Sequence, residues 1–250
     1  MASFASDGVR IDYGDEGEGE PILLIHGFAS NAATNWVGPE WVRTLTQAGR
    51  RVIAYDNRGH GRSEKLYDPA VYGAPTMAED ARRLLDHLGI ARADVMGYSM
   101  GARIAAFFAL RHPSRVRSVI LAGLGINMVR GMVGTGPIAH ALEAPRIEDV
   151  ANDTARSFRA FAEATGSDLK ALAACIRGPR EKITPEDLAT IAVPTLVAVG
   201  TEDVIGGSGS GLAELIPGAQ LLDIPGCDHM QAVGDARFKQ GVLDFLTKRR

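Results

Sequence analysis

The segment Val95–Gly101, with the sequence V-M-G-Y-S-M-G, constrains the fold of this chain more than any other. It joins an apolar run to an alanine-rich helical segment, which predicts that the serine lies at a sharp turn between a strand and a helix. Such a turn leaves room for little more than hydrogen two residues before and after the serine, where Gly97 and Gly101 stand. The helix N-terminus at this turn favours a developing negative charge. Ser99 is therefore the candidate nucleophile.

Length and composition predict one large core, or a core with a small appended segment. The chain has 250 residues, of which 46% are hydrophobic. Such a chain can bury a sizeable core without further subunits. Its formal net charge of −3 does not favour a nucleic-acid partner.

The ends of the chain and its cysteines bear on where the protein works. The N-terminus has no basic start followed by an apolar stretch, and no apolar run reaches membrane-spanning length. Cys175 and Cys227 lie far apart without metal-ligand spacing, which is typical of free thiols in a reducing compartment. We expect a cytoplasmic protein with no membrane partner, and a homodimer stays open.

Short apolar runs that alternate with longer helical patterns predict a mostly parallel sheet of about eight strands. Their hydrophobicity is continuous, which is typical of strands that helices bury on both faces. Asp7-Gly8 separates two further β-rich runs and predicts a hairpin that adds an antiparallel edge. The other predicted strands lie at 21–25, 51–55, 93–96, 116–121, 194–199 and 219–224.

Two helices are predicted to pack on this sheet. Thr76-Met77-Ala78-Glu79 has the spacing of a capping box and predicts a helix that begins there and runs through Leu88. Met77 lies on the apolar face of this helix and is expected to be a core residue without a chemical role. The last helix is predicted from about 235 to 248.

The alternation of strands and helices stops between 125 and 183. This segment has no strand-like run and predicts amphipathic helices near 147–164 and 167–177. Insertions at the carboxyl ends of parallel strands are places where ligands bind. We therefore divide the chain into a core, residues 1–124 and 184–250, and a helical insertion, residues 125–183.

A serine nucleophile needs a base, and the base needs an acid that orients it. Asp203 follows the strand-like run 194–199, and His229 follows the run 219–224. The chain order serine, acid, histidine is the one expected when the serine occupies a strand-to-helix turn of this kind. The sequence therefore predicts a catalytic triad of Ser99, Asp203 and His229.

Other residues compete for the roles of acid and base. Glu202 and Asp228 are rivals of Asp203, but Asp228 is adjacent to His229, and neighbouring side chains generally diverge. The other five histidines fit the base less well than His229. His87 and His112 are expected at the surface, and His60 lies in a glycine-rich loop. His26 is expected to brace its loop, and His140 lies in the insertion, where it could contact substrate.

Two backbone N–H groups are predicted to stabilise the oxyanion that forms when the serine attacks. One belongs to Met100, directly after the nucleophile. The other is expected in the loop after the run 21–25, which reads His26-Gly27-Phe28-Ala29. Phe28 is the predicted donor there.

Five short motifs follow one another along the chain: His26-Gly27-Phe28, Asp56-x-Arg58-Gly59-His60-Gly61-x-Ser63, Gly97-Tyr98-Ser99-Met100-Gly101, Asp203, and Gly226-x-Asp228-His229. This set resembles the α/β-hydrolase superfamily, and it spans nearly the whole sequence. The resemblance implies the α/β-hydrolase fold, with helices on both faces of the sheet and the insertion as a small helical cap. The first loop, H-G-F, departs from the H-G-G-G of some lipases and esterases, so the motifs leave the substrate undefined.

The resemblance implies a serine hydrolase of small carboxylic esters that needs no metal and no cofactor. Carbon–carbon bond hydrolases of vinylogous diketones, enol-lactonases and perhydrolases share the same triad and remain alternatives. A ligand-binding, receptor-like protein on this fold is an alternative of another class. The insertion is expected to form the pocket and to favour short acyl chains, with Phe158, Phe161, Ile138, Met128 and Met132 as candidate pocket residues.

Overall fold

The sheet predicted from the sequence is present and has eight strands. The computed structural model describes residues 2–131 and 134–249, so Met132 lies outside the described residues. The strands are β1 (Ala2–Ser6), β2 (Val9–Glu16), β3 (Glu20–Ile25), β4 (Arg50–Tyr55), β5 (Ala93–Tyr98), β6 (Val116–Ala122), β7 (Thr195–Gly200) and β8 (Gln220–Ile224).

The strand order is β1-β2-β4-β3-β5-β6-β7-β8. β1 and β2 form the predicted hairpin around Asp7 and Gly8, and β2 is also antiparallel to β4. The strands from β3 to β8 pair in parallel. The predicted α/β fold with a mostly parallel sheet is therefore confirmed. Since β5 lies between β3 and β6, the residues that follow these three strands meet at one edge.

Helices cover both faces of the sheet and fill the segment between β6 and β7. Shorter helical turns occur at Ala33–Val37, Pro69–Val71, Pro113–Arg115, Ile147–Asp149 and Ala232–Gly234. The α-helices are α1 (Trp41–Gln47), α2 (Ala74–His87), α3 (Met100–Arg111), α4 (Asn127–Arg130), α5 (Thr135–Glu143), α6 (Asp153–Ala164), α7 (Leu169–Arg177), α8 (Pro185–Leu188), α9 (Gly209–Ala213) and α10 (Ala236–Lys248).

The apolar strands divide their side chains between two helical layers, because successive residues of a strand point to opposite faces. In β3, Leu23 and Ile25 pack in a cluster with residues of α2, α3 and α9. Ile22 and Leu24 pack on the other face with residues of α1 and α10. All four side chains are fully buried. Burial on both faces explains why these strands show no alternation of polar and apolar residues.

Helix α2 begins earlier than the capping-box pattern predicts. It starts at Ala74 rather than near Thr76, and Pro75 occupies its first turn, where a missing N–H costs nothing. The carboxylate of Glu79 accepts a hydrogen bond from Arg82 Nε (2.7 Å) instead of capping the backbone. The predicted capping box is therefore wrong, although the helix itself is present.

The described residues between β6 and β7 form helices α4 to α8 and no strand. The helix predicted over 147–164 is divided: a short turn at Ile147–Asp149 precedes α6. The division occurs because the Asn152 side chain accepts a hydrogen bond from Ala155 N–H (2.8 Å) and so caps a new helix. Helix α7 likewise begins after the capping side chain of Asp168.

The helices between β6 and β7 have an apolar cluster of their own, which includes one residue of the loop after β3. That residue is Ala29, so the cluster contacts the predicted oxyanion loop itself. The cluster comprises buried residues of α5, α6 and α7 together with Val150: Ile138, Ala139, Ala141, Leu142, Ala155, Ala162, Leu172, Ala173 and Ile176.

Among the described residues, no helix is long and apolar enough to cross a membrane.

The turn after β5 is packed backbone against backbone. A Cβ atom on Gly97 would overlap the carbonyl group of Gly101. A Cβ atom on Gly101 would overlap the carbonyl group of Ile25 at the end of β3. Because these neighbours are backbone atoms in a close-packed interior, they cannot be displaced without a large loss of stability. The glycines of the motif are thus required by the approach of α3 to two central strands.

We expect Gly101→Ala to lower the free energy of unfolding by about 3 kcal/mol or more, because the added methyl group meets backbone at the centre of the sheet. Gly136→Ala is the matched control, since a Cβ atom at Gly136 would have no neighbour within 4 Å. Because Gly136 lies in the first turn of α5, the control should keep its stability or gain up to about 1 kcal/mol. Urea unfolding followed by circular dichroism measures both. Equal stability of the two variants would contradict the packing argument.

Candidate active site

Ser99 occupies the tip of the turn between β5 and α3 in a strained conformation. Its φ and ψ angles are 56° and −115°, a region that residues with a side chain rarely adopt. Its N–H donates a hydrogen bond to the Ala122 carbonyl at the end of β6 (2.8 Å). The neighbouring strand therefore holds the backbone of this turn in place.

The structure brings the three predicted triad residues into one hydrogen-bonded chain. Ser99 Oγ lies 3.0 Å from His229 Nε2. His229 Nδ1 lies 2.8 Å from Asp203 Oδ2. Asp203 and His229 are buried, with 5% and 8% of their surface exposed. These distances suit a hydroxyl nucleophile, a base and an orienting acid.

Backbone donors satisfy the second oxygen of the Asp203 carboxylate. Its Oδ1 accepts hydrogen bonds from Ile205 N–H (2.9 Å) and Gly206 N–H (2.7 Å). These bonds fix the carboxylate plane, so that Oδ2 is presented to the imidazole.

The two rival carboxylates have other positions. Glu202 is exposed. Asp228 is also exposed, and its Oδ1 accepts hydrogen bonds from the backbone N–H groups of Met230 (2.9 Å) and Gln231 (2.8 Å). Asp228 thus shapes the turn that carries His229, while Asp203 contacts the ring.

Tyr98 anchors the loop that carries the histidine, a role that the sequence did not suggest. Its hydroxyl group donates a hydrogen bond to the His229 carbonyl (2.6 Å). Burial raises the pKa of the Tyr98 phenol, so the group stays protonated and can donate. The only sequence signal was its position next to Ser99. Its contact reaches a residue 131 positions away, which no local pattern reveals.

The remaining histidines lie apart from the triad. His26 and His60 are fully buried, and burial lowers the pKa of His26 to about 4 and that of His60 to about 3. His26 Nε2 accepts a hydrogen bond from Asn57 N–H (2.9 Å), so His26 braces the loop after β3 as expected. His87 and His140 are exposed.

The loop after β3 lies directly against the nucleophile turn. A Cβ atom placed on Gly27 would be 3.4 Å from the Ser99 Cβ atom. Gly27 N–H donates a hydrogen bond to Asn35 Oδ1 (3.1 Å), which fixes the loop. Phe28 and Met100, the predicted oxyanion donors, both line the cavity beside Ser99. Both residues thus lie beside the nucleophile, and their role as oxyanion donors stays a prediction.

A cavity of about 270 Å³ opens above Ser99. Phe158 lines it, and its ring centroid lies 6.0 Å from that of Phe28. The prediction is wrong for three residues that do not line the cavity: Met128 is buried in the cluster beneath α2 and α3, and Ile138 and Phe161 pack in the helical cluster. The cavity also has lining residues that the sequence did not predict, among them Met77, Arg103, Leu124, Asn127, Ile176, Arg180 and Ile205.

Met77 and Arg103 show why sequence patterns missed these residues. Met77 matches the apolar face of α2 and is only 2% exposed, yet it borders the cavity. Arg103 lies four residues after Ser99, and helical spacing places it on the same side of α3. That spacing was the one available signal. The rest depends on how helices far apart in the chain meet.

Comparisons with known proteins agree with the fold. The family model described as "alpha/beta hydrolase fold" matches residues 20–134. A 2-hydroxymuconate semialdehyde hydrolase from Pseudomonas sp. (strain CF600) is 33% identical over 96% of this chain and 92% of its own length. The non-heme chloroperoxidase CPO-A1 of Kitasatospora aureofaciens is 29% identical over 97% of this chain and 98% of its own length. The crystal structure of an enol-lactonase from Burkholderia xenovorans LB400 has a TM-score of 0.82 and 25% identity, covering 99% of this chain and 100% of its own.

We expect Asp203→Asn to lower kcat by a factor of about 10³–10⁴, because the amide leaves the imidazole in the wrong tautomer and its positive charge uncompensated. Asp228→Asn is the matched control. Its side-chain oxygen can still accept the bonds from Met230 and Gln231, so kcat should stay within a few-fold of the unmodified protein. Steady-state kinetics with a chromogenic ester measures both. A severe loss only at Asp228 would overturn the assignment.

Proposed function

We propose that this chain, which belongs to the α/β-hydrolase fold family, cleaves small carboxylic esters through an acyl-enzyme. The observation that carries the proposal is the hydrogen-bonded chain from Ser99, which lines the cavity, through His229 to Asp203. A hydroxyl group, an imidazole and a carboxylate in this arrangement supply a nucleophile, a base and an orienting acid.

In the proposed acylation, His229 Nε2 takes the proton of Ser99 as Oγ attacks the ester carbonyl. The negative charge that forms on the carbonyl oxygen accepts hydrogen bonds from the Phe28 and Met100 N–H groups. Asp203 stabilises the imidazolium that results. His229 then returns the proton to the departing alcohol, and the acyl group remains on Ser99.

Deacylation repeats these steps with water as the nucleophile. His229 takes a proton from a water molecule that attacks the acyl carbonyl, and the oxyanion forms again beside the same two N–H groups. The collapse of this intermediate releases the acid and restores the Ser99 hydroxyl group.

We expect Ser99→Ala to keep the fold, because alanine fits the turn, and to lower kcat for a short chromogenic ester by several orders of magnitude. The unmodified protein should also become covalently labelled by a small fluorophosphonate, and the variant should not. Intact-protein mass spectrometry detects the adduct. Full ester turnover by the variant, or no labelling of the unmodified protein, would point to a ligand-binding protein on this fold.

Hydrolysis of a carbon–carbon bond is a second candidate, and one observation favours it. The relative named 2-hydroxymuconate semialdehyde hydrolase shares 33% of residues along nearly the whole chain. The same triad would then cleave a vinylogous diketone. Parallel assays with a short ester and with a vinylogous diketone separate the two candidates. Turnover of the ester alone favours the first, and faster turnover of the diketone favours the second.

We propose further that the helices between β6 and β7 act as a cap that limits the length of the substrate. The cavity is lined by Phe28 and Met100 of the core and by Phe158 and Ile176 of these helices. A volume of about 270 Å³ suits a small ester better than a long-chain lipid. The enclosure also excludes water from the reacting groups.

We expect Phe158→Ala to shift the preferred acyl length upward, because the ring that it removes borders the cavity. Each additional buried methylene contributes about 0.8 kcal/mol, or roughly a fourfold gain in kcat/KM. Phe161→Ala is the control, since Phe161 packs in the helical cluster outside the cavity. A series of 4-nitrophenyl esters from acetate to decanoate measures the optimum for each variant. The same shift in both variants would contradict the role of Phe158.

A further inference from the structure

The cavity above Ser99 carries an excess of positive charge. Four cationic side chains line it. Among its described lining residues, Glu181 supplies a carboxylate. Glu181 already pairs with Arg111 at 3.0 Å, so it does not neutralise the cations. The four cationic residues are Arg103, Arg130, Arg180 and Lys182.

Arg103 lies on the wall of the cavity one helical turn beyond the nucleophile. Four residues of α-helix advance about 6 Å, so Arg103 lies about one turn from Ser99 along α3. Its Nη2 donates hydrogen bonds to the backbone carbonyl groups of Asn127 (3.2 Å) and Met128 (2.7 Å). Among the residues that the structure describes, no carboxylate forms an ion pair with Arg103. These two bonds use one nitrogen and leave other N–H donors of the guanidinium group free of the backbone.

Arg180 reaches the same cavity from the chain that follows α7. Its Nη2 donates a hydrogen bond to the Ile176 carbonyl (2.7 Å), and no described carboxylate pairs with it. Arg103 is half-buried, whereas Arg180 is exposed to solvent. Burial lowers the pKa of the Arg103 guanidinium group, and the charge of Arg180 lowers it further. Two like charges thus line one cavity, and a half-buried charge such as that of Arg103 is ordinarily paired in proteins.

We propose that Arg103 and Arg180 bind a carboxylate group of the substrate while its ester carbonyl lies at Ser99. A guanidinium group binds a carboxylate through two parallel hydrogen bonds, and two such groups on one cavity can hold it from both sides. The substrate class is therefore an ester that also carries a free carboxylate. This inference rests on the proposed ester hydrolysis, which the neutral substrates below test separately.

The test compares esters that differ only in charge. One pair places the group on the acyl side: the 4-nitrophenyl monoester of adipic acid and its matching carboxamide. The other pair places it on the alcohol side: the butyrate esters of 4-hydroxybenzoic acid and of 4-hydroxybenzamide. The unmodified protein should prefer the charged member of at least one pair by about tenfold or more in kcat/KM. Added salt should reduce this preference. The rate with Ser99→Ala gives the background.

Substitution of the arginines assigns the preference to them. Arg180→Gln should reduce the preference for the charged ester about tenfold, and Arg180→Lys should restore part of it. Arg177→Gln is the control, because Arg177 is exposed and pairs with Glu143 outside the cavity. It should keep the preference. Arg103→Lys provides a second test, because lysine keeps a positive charge near the carbonyl groups of Asn127 and Met128. The variant should show a weaker preference for the charged ester, because an ammonium group cannot form the two parallel hydrogen bonds of a guanidinium group.

Each outcome decides between the two proposals. Hydrolysis of both members of both pairs at equal rates would overturn the carboxylate site and leave ester hydrolysis standing. A preference for the charged ester that persists in Arg180→Gln would also overturn it. No hydrolysis of any ester, together with no labelling of Ser99, would instead contradict the proposed function.

Discussion

The approach of the Gly101 backbone to the Ile25 carbonyl is the contact on which the rest of the site depends. It brings the start of α3 against the end of β3, and no side chain larger than hydrogen fits between them. Because of this contact, Ser99 is held at a positive φ angle, and the loop with Gly27 and Phe28 lies beside it. One steric constraint thus places both the nucleophile and the loop that carries Phe28, one of the two predicted oxyanion donors.

Hydrogen bonds fix each member of the triad before any substrate binds. Ser99 is tied to β6 through the Ala122 carbonyl. His229 is tied to β5 through the Tyr98 hydroxyl group, and Asp203 is tied to its own turn through Gly206 N–H. The first two bonds join residues at the ends of different strands, so the register of the parallel sheet helps to set the geometry of the site. Such preorganisation lowers the reorganisation needed during reaction.

The sequence predicted the sheet and the relative order of the site residues because both leave local patterns. Continuous apolar runs identify buried strands, and the turn around Ser99 has its own glycine spacing. The cavity wall leaves no such pattern. Ile138 and Phe158 look alike as apolar residues of amphipathic helices, yet Ile138 is 1% exposed in the helical cluster and Phe158 lines the cavity. Which face of a helix meets the cavity depends on packing between helices distant in the chain.

The two arginines connect the halves of the cavity in a way that bears on catalysis as well as on selectivity. Arg103 belongs to α3 of the core, whereas Arg180 follows α7 in the helices between β6 and β7. A carboxylate held by both would therefore contact the core and the cap together and draw them toward one another. Interactions with a remote part of a substrate can orient the reacting carbonyl and so raise kcat in addition to lowering KM. An ester without the carboxylate would reach the same triad but would lack this orientation, so charge recognition and correct positioning at Ser99 would have a common origin.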